Sequence, residues 1–491
     1  STYCIKVRRV FNLLLQFGTK NYIYNLSYQL LTLITPFITI PYLSRVLGLD
    51  GIGEYSFTFS VVTYFVLVAN LGVSNYAQRE IAYHQDDRLT QSRIFYEVNV
   101  LRLFLVSVNL IVYYFMISSW QVSYTIYWLQ ALNIAAVLFD ISWFFQGLEE
   151  FGKIVLRNFI VRIANVALIF ILVHQSSDLL IYTALMGGMN ILSGVLIWLY
   201  LPKYLERVSI REWRPFRNFL IILQLFLPQI AIQVYVVLDK TMLGLLSGSF
   251  AENGYYEQAD KMVKLLLTIV TSLGTVMMPR ISFTHAHGLK EDVMNYMMKS
   301  YRFTWFLSIP MCLGLISTAP NFVPWFYGPG YEKVIVVLQA ISGIIIAIGI
   351  SNVTGIQYLV PTNRQNQLTL SVIVGAAFNF GINFYLIPKY HSVGVAIATL
   401  LTEWLVTMVQ LYMVRRDFGF KTILSQSTHY WLAGMIMFMI TITIEQMFSP
   451  TIIHTGVIAI IGGAVYIGIL LGMRDSVLME GISAAREKLG I

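Results

Sequence analysis

FLIILQLFLPQIAIQVYVVLDKTMLGLL, residues 219–246, is apolar along almost its whole length. A transmembrane helix needs about 20 such residues to cross a hydrocarbon core about 30 Å thick. The run therefore predicts a membrane-spanning helix. Near its end, however, Asp239 and Lys240 stand side by side, and a charge inside a membrane is costly unless it is paired or has a function.

The composition of the whole chain extends this prediction. Of the 491 residues, 57% are hydrophobic and 12% are charged, and the mean hydropathy is +0.68. The apolar runs are continuous and as long as helices, which satisfy their own backbone hydrogen bonds inside a bilayer. We therefore expect an all-α polytopic membrane protein. The net charge is +8, and most of the Lys and Arg residues fall in predicted loops beside the membrane. No nucleic-acid partner is therefore expected.

Windows of hydropathy predict about fourteen spans. They lie at 21–44, 53–76, 94–118, 122–146, 156–174, 178–201, 219–247, 255–281, 302–327, 333–360, 368–387, 392–414, 428–447 and 451–473. Lys and Arg gather in the loops of one side, which places both termini in the cytoplasm. The tail, 474–491, has apolar residues at helical spacing and predicts an amphipathic helix along the inner surface.

Two parts of the chain repeat a short pattern. YLSRVLG at 42–48 closes the first span and VLDKTMLG at 237–244 closes the seventh, so that Ser44-Arg45 aligns with Asp239-Lys240. Duplicated halves are typical of alternating-access transporters. The repeat predicts an N-lobe of spans 1–6, a C-lobe of spans 7–12, two appended spans and the tail. Their limits are 1–217, 218–427, 428–473 and 474–491.

Basic residues recur inside the predicted spans of both halves. If they face one cavity, they would bind an anionic substrate, because cations there attract phosphate and arginine forms two parallel hydrogen bonds with it. The alternative is that acids neutralise them. Glu257 and Asp260 each precede a lysine by four residues, Asp239 adjoins Lys240, and Asp140 is the acidic counterpart of the two arginines inside the first half. The candidate substrate-binding residues are Arg45, Lys240, Lys261, Lys264, Arg102 and Arg162.

Three acids inside the spans are candidates for ion coupling, namely Glu403, Asp239 and Asp140. An acid in a membrane is either paired with a cation or binds a proton or ion as the protein moves. No cofactor is expected beyond a H⁺ or Na⁺ gradient or the membrane potential. No metal site is expected, because His285-x-His287 lacks a third ligand nearby. Five aromatic residues are candidates for stacking on sugar rings: Tyr235, Tyr255, Tyr256, Trp143 and Trp404.

A series of segments resembles the polysaccharide transporter family, the Wzx-type flippases of the multidrug/oligosaccharidyl-lipid/polysaccharide (MOP) exporter superfamily. The predicted first hairpin, LGLDGIGEYSFTFSVVTYFVLVANLGVSNYAQREIA at 47–82, is similar to that of the family. Further similar segments follow in the family's order: DISWFFQGLEEFGKIVLRN, LDKTMLG with NGYYEQADKMVK, TVMMPRIS, FYGPGYEKVIVVLQ, and PTNRQNQ with NFYLIPKYHSVGVAIATLLTE. The resemblance covers nearly the whole chain.

The resemblance implies a MATE-like, V-shaped pair of six-helix lobes around a central cationic cavity, plus two C-terminal helices. It implies a flippase in a bacterial cell membrane that moves undecaprenyl-pyrophosphate-linked oligosaccharide units from the cytoplasmic to the outer leaflet by alternating access. Such units supply capsule, O-antigen or exopolysaccharide. The implied partners are the lipid-linked substrate, the bilayer, and a polysaccharide polymerase with its chain-length machinery.

Three alternatives stay open at the level of the sequence. A Lipid II flippase is a neighbouring activity that residue patterns do not separate from the first. A MATE-type drug or cation antiporter would need an acidic pocket, whereas basic residues recur in these spans. A membrane-embedded polymerase or glycosyltransferase would present acids, Arg or His in a long outer loop. The predicted outer loops are short, so no enzyme is expected.

Overall fold

The computed structural model describes residues 31–120 and 125–489, and within these ranges it contains helices and turns but no strand. Among these described residues, eleven helical segments are long and apolar enough to cross a membrane. The prediction of an all-α polytopic membrane protein is confirmed, whereas the count of fourteen spans stays a prediction. The first predicted span, 21–44, begins outside the described residues.

The chain divides into two compact units. The first comprises the residues up to 51 together with 55–237, and the second comprises 52–54 together with 238–491. The boundary falls between Val237 and Leu238, inside a helix. The predicted limits at 217, 427 and 473 separate groups of spans rather than packed units, and they stay predictions.

The described part of the first unit contains eight α-helices and most of a ninth. These are α1 (Leu31–Val46), α2 (Gly48–Asn70), α3 (Val73–Tyr83), α4 (Arg88–Ser119), α5 (Thr125–Phe139), α6 (Ser142–Gly147), α7 (Phe151–Leu172), α8 (Leu179–Trp198) and α9 (Phe219–Ser247). Leu71 and Gly72, with φ of 42° and 70°, separate α2 from α3. Asp87 caps α4, and hydrogen bonds from the Thr90 hydroxyl and N–H hold the pKa of its carboxyl below the ordinary value.

An aromatic core lies where α3, α4 and α6 meet. Trp143, Phe144 and Phe145 of α6 are almost fully buried, and the first two pack on Phe95 of α4. α6 approaches α3 so closely that a Cβ at Gly147 would lie 2.8 Å from the carbonyl oxygen of Gln78. This core fixes the turn between α5 and α6, where Asp140 lies.

The second unit contains the end of α9 and all later helices. They are α10 (Phe250–Ala286), α11 (Lys290–Tyr327), α12 (Glu332–Ile341), α13 (Ile344–Ser351), a π-helix (Asn352–Leu359), α14 (Gln365–Met413), α15 (Phe420–Ser425), α16 (Thr428–Glu445), α17 (Ile452–Gly472) and α18 (Ser476–Leu489). The tail predicted to be helical is therefore largely α18. Its position along a membrane surface stays a prediction.

α14 is broken at His391, where φ is 51° and ψ is −125°. The predicted spans 368–387 and 392–414 lie on either side of this break. Ser392 donates its N–H and its hydroxyl to Oε2 of Glu252, at 3.0 and 2.6 Å, and Lys333 Nζ lies 2.6 Å from Oε1 of the same carboxylate. Glu252 thus holds the start of the second half of α14 against α10 and α12.

Asp475 fixes the start of α18. Its carboxylate accepts the N–H of Leu478 at 3.0 Å, the Tyr430 hydroxyl at 2.7 Å and a hydrogen bond with His429 at 2.9 Å. Burial alone would raise the pKa of Asp475, but these hydrogen bonds outweigh it and hold the pKa below the ordinary value. The tail helix is therefore tied to α16 by polar contacts.

Candidate functional site

Five charged residues of α9 and α10 form one group, which we call the lysine–acid cluster. Lys240 Nζ lies 2.7 Å from Glu257 Oε2 and 3.2 Å from Asp260 Oδ2. Lys261 Nζ lies 3.0 Å from Glu257 Oε1, and Lys264 Nζ lies 2.7 Å from Asp260 Oδ2. The spacing of four residues along α10 brings each acid beside its lysine, as the sequence predicts.

The three lysines differ in exposure. The side chain of Lys240 is 20% exposed, whereas those of Lys261 and Lys264 are 40% and 47% exposed. Three lysines and two carboxylates leave the cluster with a formal charge of +1. Lys240 is enclosed by both carboxylates, so Lys261 and Lys264 are the members that an anion can reach.

Asp239 lies in a separate polar network. Its Oδ1 accepts a hydrogen bond from Asn383 at 2.7 Å, and its Oδ2 accepts from Tyr256 at 3.0 Å and from Thr399 at 2.7 Å. The residue is 5% exposed and forms no ion pair with any residue of the described ranges. The sequence left open whether Asp239 neutralises Lys240 or serves ion coupling, and these contacts do not support neutralisation. Neighbouring side chains on an α-helix point about 100° apart.

The partners of Asp239 were not identified from the sequence. Asn383 and Thr399 stand on the two halves of α14, and Asn383 also donates to Asn379 Oδ1 at 2.9 Å. Two asparagines four residues apart in an apolar helix were the available signal. Tyr256 and Trp143 are 3% and 1% exposed, so the prediction that these two stack on sugar rings is wrong.

Arg102 of α4 is enclosed by the first unit. It is 1% exposed, and its guanidinium donates to the carbonyl oxygens of Val137 and Asp140 and to the side chains of Asn70 and Ser74. A buried guanidinium satisfied in this way joins α2, α3, α4 and the end of α5. The assignment of Arg102 to substrate binding is therefore corrected: it is a positioning residue.

Asp140 pairs with a cation other than the expected one. Arg102 contacts its backbone carbonyl, whereas its carboxylate accepts from the N–H of Ser142 at 3.0 Å and lies 4.0 Å from Arg157 Nη1. Arg157 is 8% exposed and donates to the Ser142 hydroxyl at 2.9 Å. It was absent from the sequence-based candidates, because its place at the predicted inner end of a span is typical of a loop cation.

Replacing Arg102 with methionine should destabilise the first unit. The apolar side chain would leave the carbonyl oxygens of Val137 and Asp140 and the Ser74 hydroxyl without the guanidinium in a buried site, at a cost of about 2–4 kcal/mol. We expect a lower midpoint of thermal unfolding for the purified protein in detergent. Arg93→Met is the matched control, since Arg93 lies on the same helix and its side chain has no hydrogen bond or ion pair in the described ranges. Equal midpoints for both variants would contradict the assigned role.

The remaining candidates are Arg45, Arg162 and Glu403. Arg45 is exposed at the end of α1, where Nη1 donates to the carbonyl oxygen of Pro41 at 2.8 Å. Arg162 is half-buried in α7 and forms no hydrogen bond or ion pair within the described ranges. Glu403 is half-buried in the second half of α14. Among the described residues, no three His, Cys, Asp or Glu side chains are grouped to hold a metal ion.

Comparison with known proteins identifies the family. Residues 19–285, more than half of the chain, match the family described as "Polysaccharide biosynthesis protein". The chain belongs to this family. The resemblance found in the sequence is thereby confirmed.

Two relatives with similar sequences cover most of the chain. A protein of Escherichia coli strain K12 named "Putative O-antigen transporter" is 26% identical over 403 residues, which are 81% of this chain and 97% of that protein. A protein of the same name from Shigella dysenteriae is 23% identical over 389 residues, 77% of this chain and 96% of its own.

Solved structures show which fold this family member shares. "Lipid II flippase MurJ, inward closed conformation" superposes with a TM-score of 0.72 at 16% identity, covering 94% of this chain and 100% of that one. An inward-facing MATE transporter of the MOP superfamily gives a TM-score of 0.64 at 14% identity, covering 80% and 95%. The fold is that of MATE and MurJ transporters, as predicted.

Proposed function

We propose that this protein is a flippase for lipid-linked oligosaccharides. It moves undecaprenyl-pyrophosphate-linked units from the cytoplasmic to the outer leaflet of a bacterial cell membrane by alternating access, and both of its termini lie in the cytoplasm. The family and the two relatives named as O-antigen transporters support this proposal. The observation that carries it is the pair Lys261 and Lys264, two half-exposed cations in a membrane helix that suit a pyrophosphate.

The proposal also states which later steps belong to other proteins. The flippase performs no covalent chemistry on the oligosaccharide. A polysaccharide polymerase and its chain-length machinery use the flipped units on the outer side of the membrane. Capsule, O-antigen or exopolysaccharide is the end product.

A flipping assay tests the substrate class. The full chain is reconstituted in proteoliposomes with one of three probes: a fluorescent undecaprenyl-pyrophosphate oligosaccharide, fluorescent Lipid II, or a fluorescent organic cation. We expect the first probe to become accessible on the opposite face fastest. Faster movement of Lipid II would favour the Lipid II alternative, and movement of the cation alone would favour the drug antiporter. No movement of any lipid probe would contradict the flippase proposal.

We further propose that Asp239 couples flipping to an ion gradient. Its carboxylate is buried, it is held by neutral donors from α10 and α14, and Asn383 Oδ1 beside it has no hydrogen-bond partner in the described ranges. A proton or a sodium ion would neutralise this charge. The membrane potential adds a driving force of about 2.3 kcal/mol per charge per 100 mV, and outside-positive polarity favours outward movement of an anion.

Asp239→Asn should uncouple flipping from the gradient. The amide neither binds a proton nor attracts sodium, so stimulation of flipping by an imposed H⁺ or Na⁺ gradient should fall below about twofold, while movement without a gradient persists. Flipping is measured in proteoliposomes under each gradient separately. Asp140→Asn and Glu403→Gln are matched carboxylate-to-amide controls. If Glu403→Gln loses the stimulation and Asp239→Asn keeps it, coupling through Asp239 is wrong.

A further inference from the structure

A polar cavity of about 630 Å³ opens in the first unit, lined by α3, α4 and the segment that precedes α9. Four arginines line it, namely Arg93 of α4 and Arg211, Arg214 and Arg217 of the segment. We call it the arginine cavity. By the distribution of Lys and Arg in the loops, it is on the side predicted to face the cytoplasm.

The four guanidinium groups are not used by the protein itself. Within the described ranges, none of them forms a hydrogen bond or an ion pair. Three acids, Glu80, Glu97 and Glu212, also line the cavity, and none of them forms an ion pair with the four arginines within the described ranges. Glu80 lies 3.3 Å from Arg79, and Glu97 accepts the backbone N–H of Arg214 at 2.9 Å. Four arginines and three carboxylates give the lining a formal charge of +1. Guanidinium groups that face a cavity and form no ion pair are suited to a phosphate or pyrophosphate group.

The segment that carries three of these arginines is held in place by other contacts. Its Glu206 N–H donates to the Ser92 hydroxyl at 2.8 Å, and Asn218 donates to the Tyr76 hydroxyl. Trp213 stacks on Tyr96, with ring centroids 5.0 Å apart. These contacts leave the guanidinium groups unoccupied, so a ligand would not have to order the segment on binding.

Large apolar side chains are exposed beside these arginines, in the segment and in the first turn of α9. Ile210 is 74% exposed, Phe216 is 51% exposed and Leu220 is 72% exposed. Exposed apolar side chains close to arginines are typical of a segment at a membrane surface, where the arginines meet anionic head groups. This favours a lipid over a free phosphate in water.

We propose that the arginine cavity binds the phosphate or pyrophosphate head group of a membrane lipid. The lipid is either an anionic phospholipid of the inner leaflet or the pyrophosphate-linked substrate before it is flipped. Only the second source rests on the proposed function. The site is separate from the lysine–acid cluster, which belongs to the other unit.

Binding to the purified full-length protein in neutral detergent tests the proposal. The probes are farnesyl pyrophosphate, dihexanoyl phosphatidylglycerol, farnesol and inorganic pyrophosphate, each titrated by thermophoresis. The variant is Arg211→Gln/Arg214→Gln/Arg217→Gln. The matched control is Lys290→Gln/Lys421→Gln/Arg486→Gln, which removes three exposed cations from the second unit.

We expect the arginine variant to bind farnesyl pyrophosphate or phosphatidylglycerol at least tenfold more weakly than the wild type, and the control to bind as the wild type does. Preference for farnesyl pyrophosphate identifies the substrate head group as the source, and preference for phosphatidylglycerol identifies the phospholipid. Equal affinity of the arginine variant and the wild type overturns the site. If the wild type binds inorganic pyrophosphate as tightly as it binds the two lipid probes, the lipid assignment is overturned. If it binds farnesol as tightly as farnesyl pyrophosphate, the phosphate assignment is overturned. Because binding alone is measured, the result is independent of whether the protein flips its substrate.

Discussion

Replacement of both Lys261 and Lys264 with glutamine is expected to lower the flipping rate of the lipid-linked oligosaccharide by about 100-fold or more. Hydrogen bonds to charged groups contribute about 1.5–3 kcal/mol each, and each 1.4 kcal/mol corresponds to about a tenfold change. The change also leaves Lys240 with two carboxylates, so the cluster becomes net negative and repels the pyrophosphate. The rate is measured in proteoliposomes that contain equal amounts of monodisperse protein.

The effect should be specific to these two positions. Both side chains are close to half exposed, so the double variant should fold as the wild type does. Lys290→Gln/Lys421→Gln removes the same charge from exposed positions outside the cluster and should flip at the wild-type rate. A wild-type rate in the Lys261→Gln/Lys264→Gln variant would refute the role of the cluster in binding the anionic head group.

Lys240→Met is expected to lower the stability of the folded protein. The Glu257 and Asp260 side chains are 11% and 4% exposed, and both lie against Lys240. Removal of Lys240 takes one charge-assisted contact from each carboxylate and leaves each of them with a single, more exposed lysine. Such contacts contribute about 1.5–3 kcal/mol each, so we expect a loss of about 3 kcal/mol or more. On the scale of soluble domains of 150–250 residues, a loss of 3 kcal/mol corresponds to a fall of about 6–12 °C in the melting temperature.

This second prediction is measured by thermal unfolding of the purified protein in detergent. Lys240→Arg keeps the charge beside both carboxylates and should retain most of the stability. If Lys240→Met unfolds at the wild-type temperature, the carboxylates do not depend on Lys240. Flipping by Lys240→Met is therefore measured only on the fraction of protein that stays folded. Lys261→Gln/Lys264→Gln differs in this respect, because it should lower the flipping rate without lowering the melting temperature.

Several elements of the site were predictable from local spacing. The pairs Glu257–Lys261 and Asp260–Lys264 are four residues apart on one helix, and the structure contains both ion pairs. The pairing of Lys240 was not predictable in the same way. Its carboxylates come from the next helix, at distances that depend on how α9 packs on α10.

The contacts of Arg102 and Asp140 were likewise not predictable from local spacing. An arginine and an aspartate in neighbouring predicted spans suggest an ion pair, but the guanidinium reaches the backbone of Asp140 and the carboxylate faces Arg157. The break between α5 and α6 determines this arrangement, because it exposes a carbonyl group that a continuous helix would use. The arginine cavity likewise depends on a loop that folds back onto α4.

The sequence by itself determined the helical membrane fold, the spans along most of the chain and the resemblance to the family. The helical membrane fold and the spans follow from the length of the apolar runs, which is a local property of the sequence. An apolar run of that length forms a helix in a bilayer, because a helix satisfies its own backbone hydrogen bonds. Only the tertiary structure decided which charges are enclosed and which an anion can reach. Asp239 and Lys240 are adjacent in the chain, yet one joins a neutral polar network and the other joins the lysine–acid cluster. Their side chains leave the helix in different directions, and the neighbouring helices supply different partners to each.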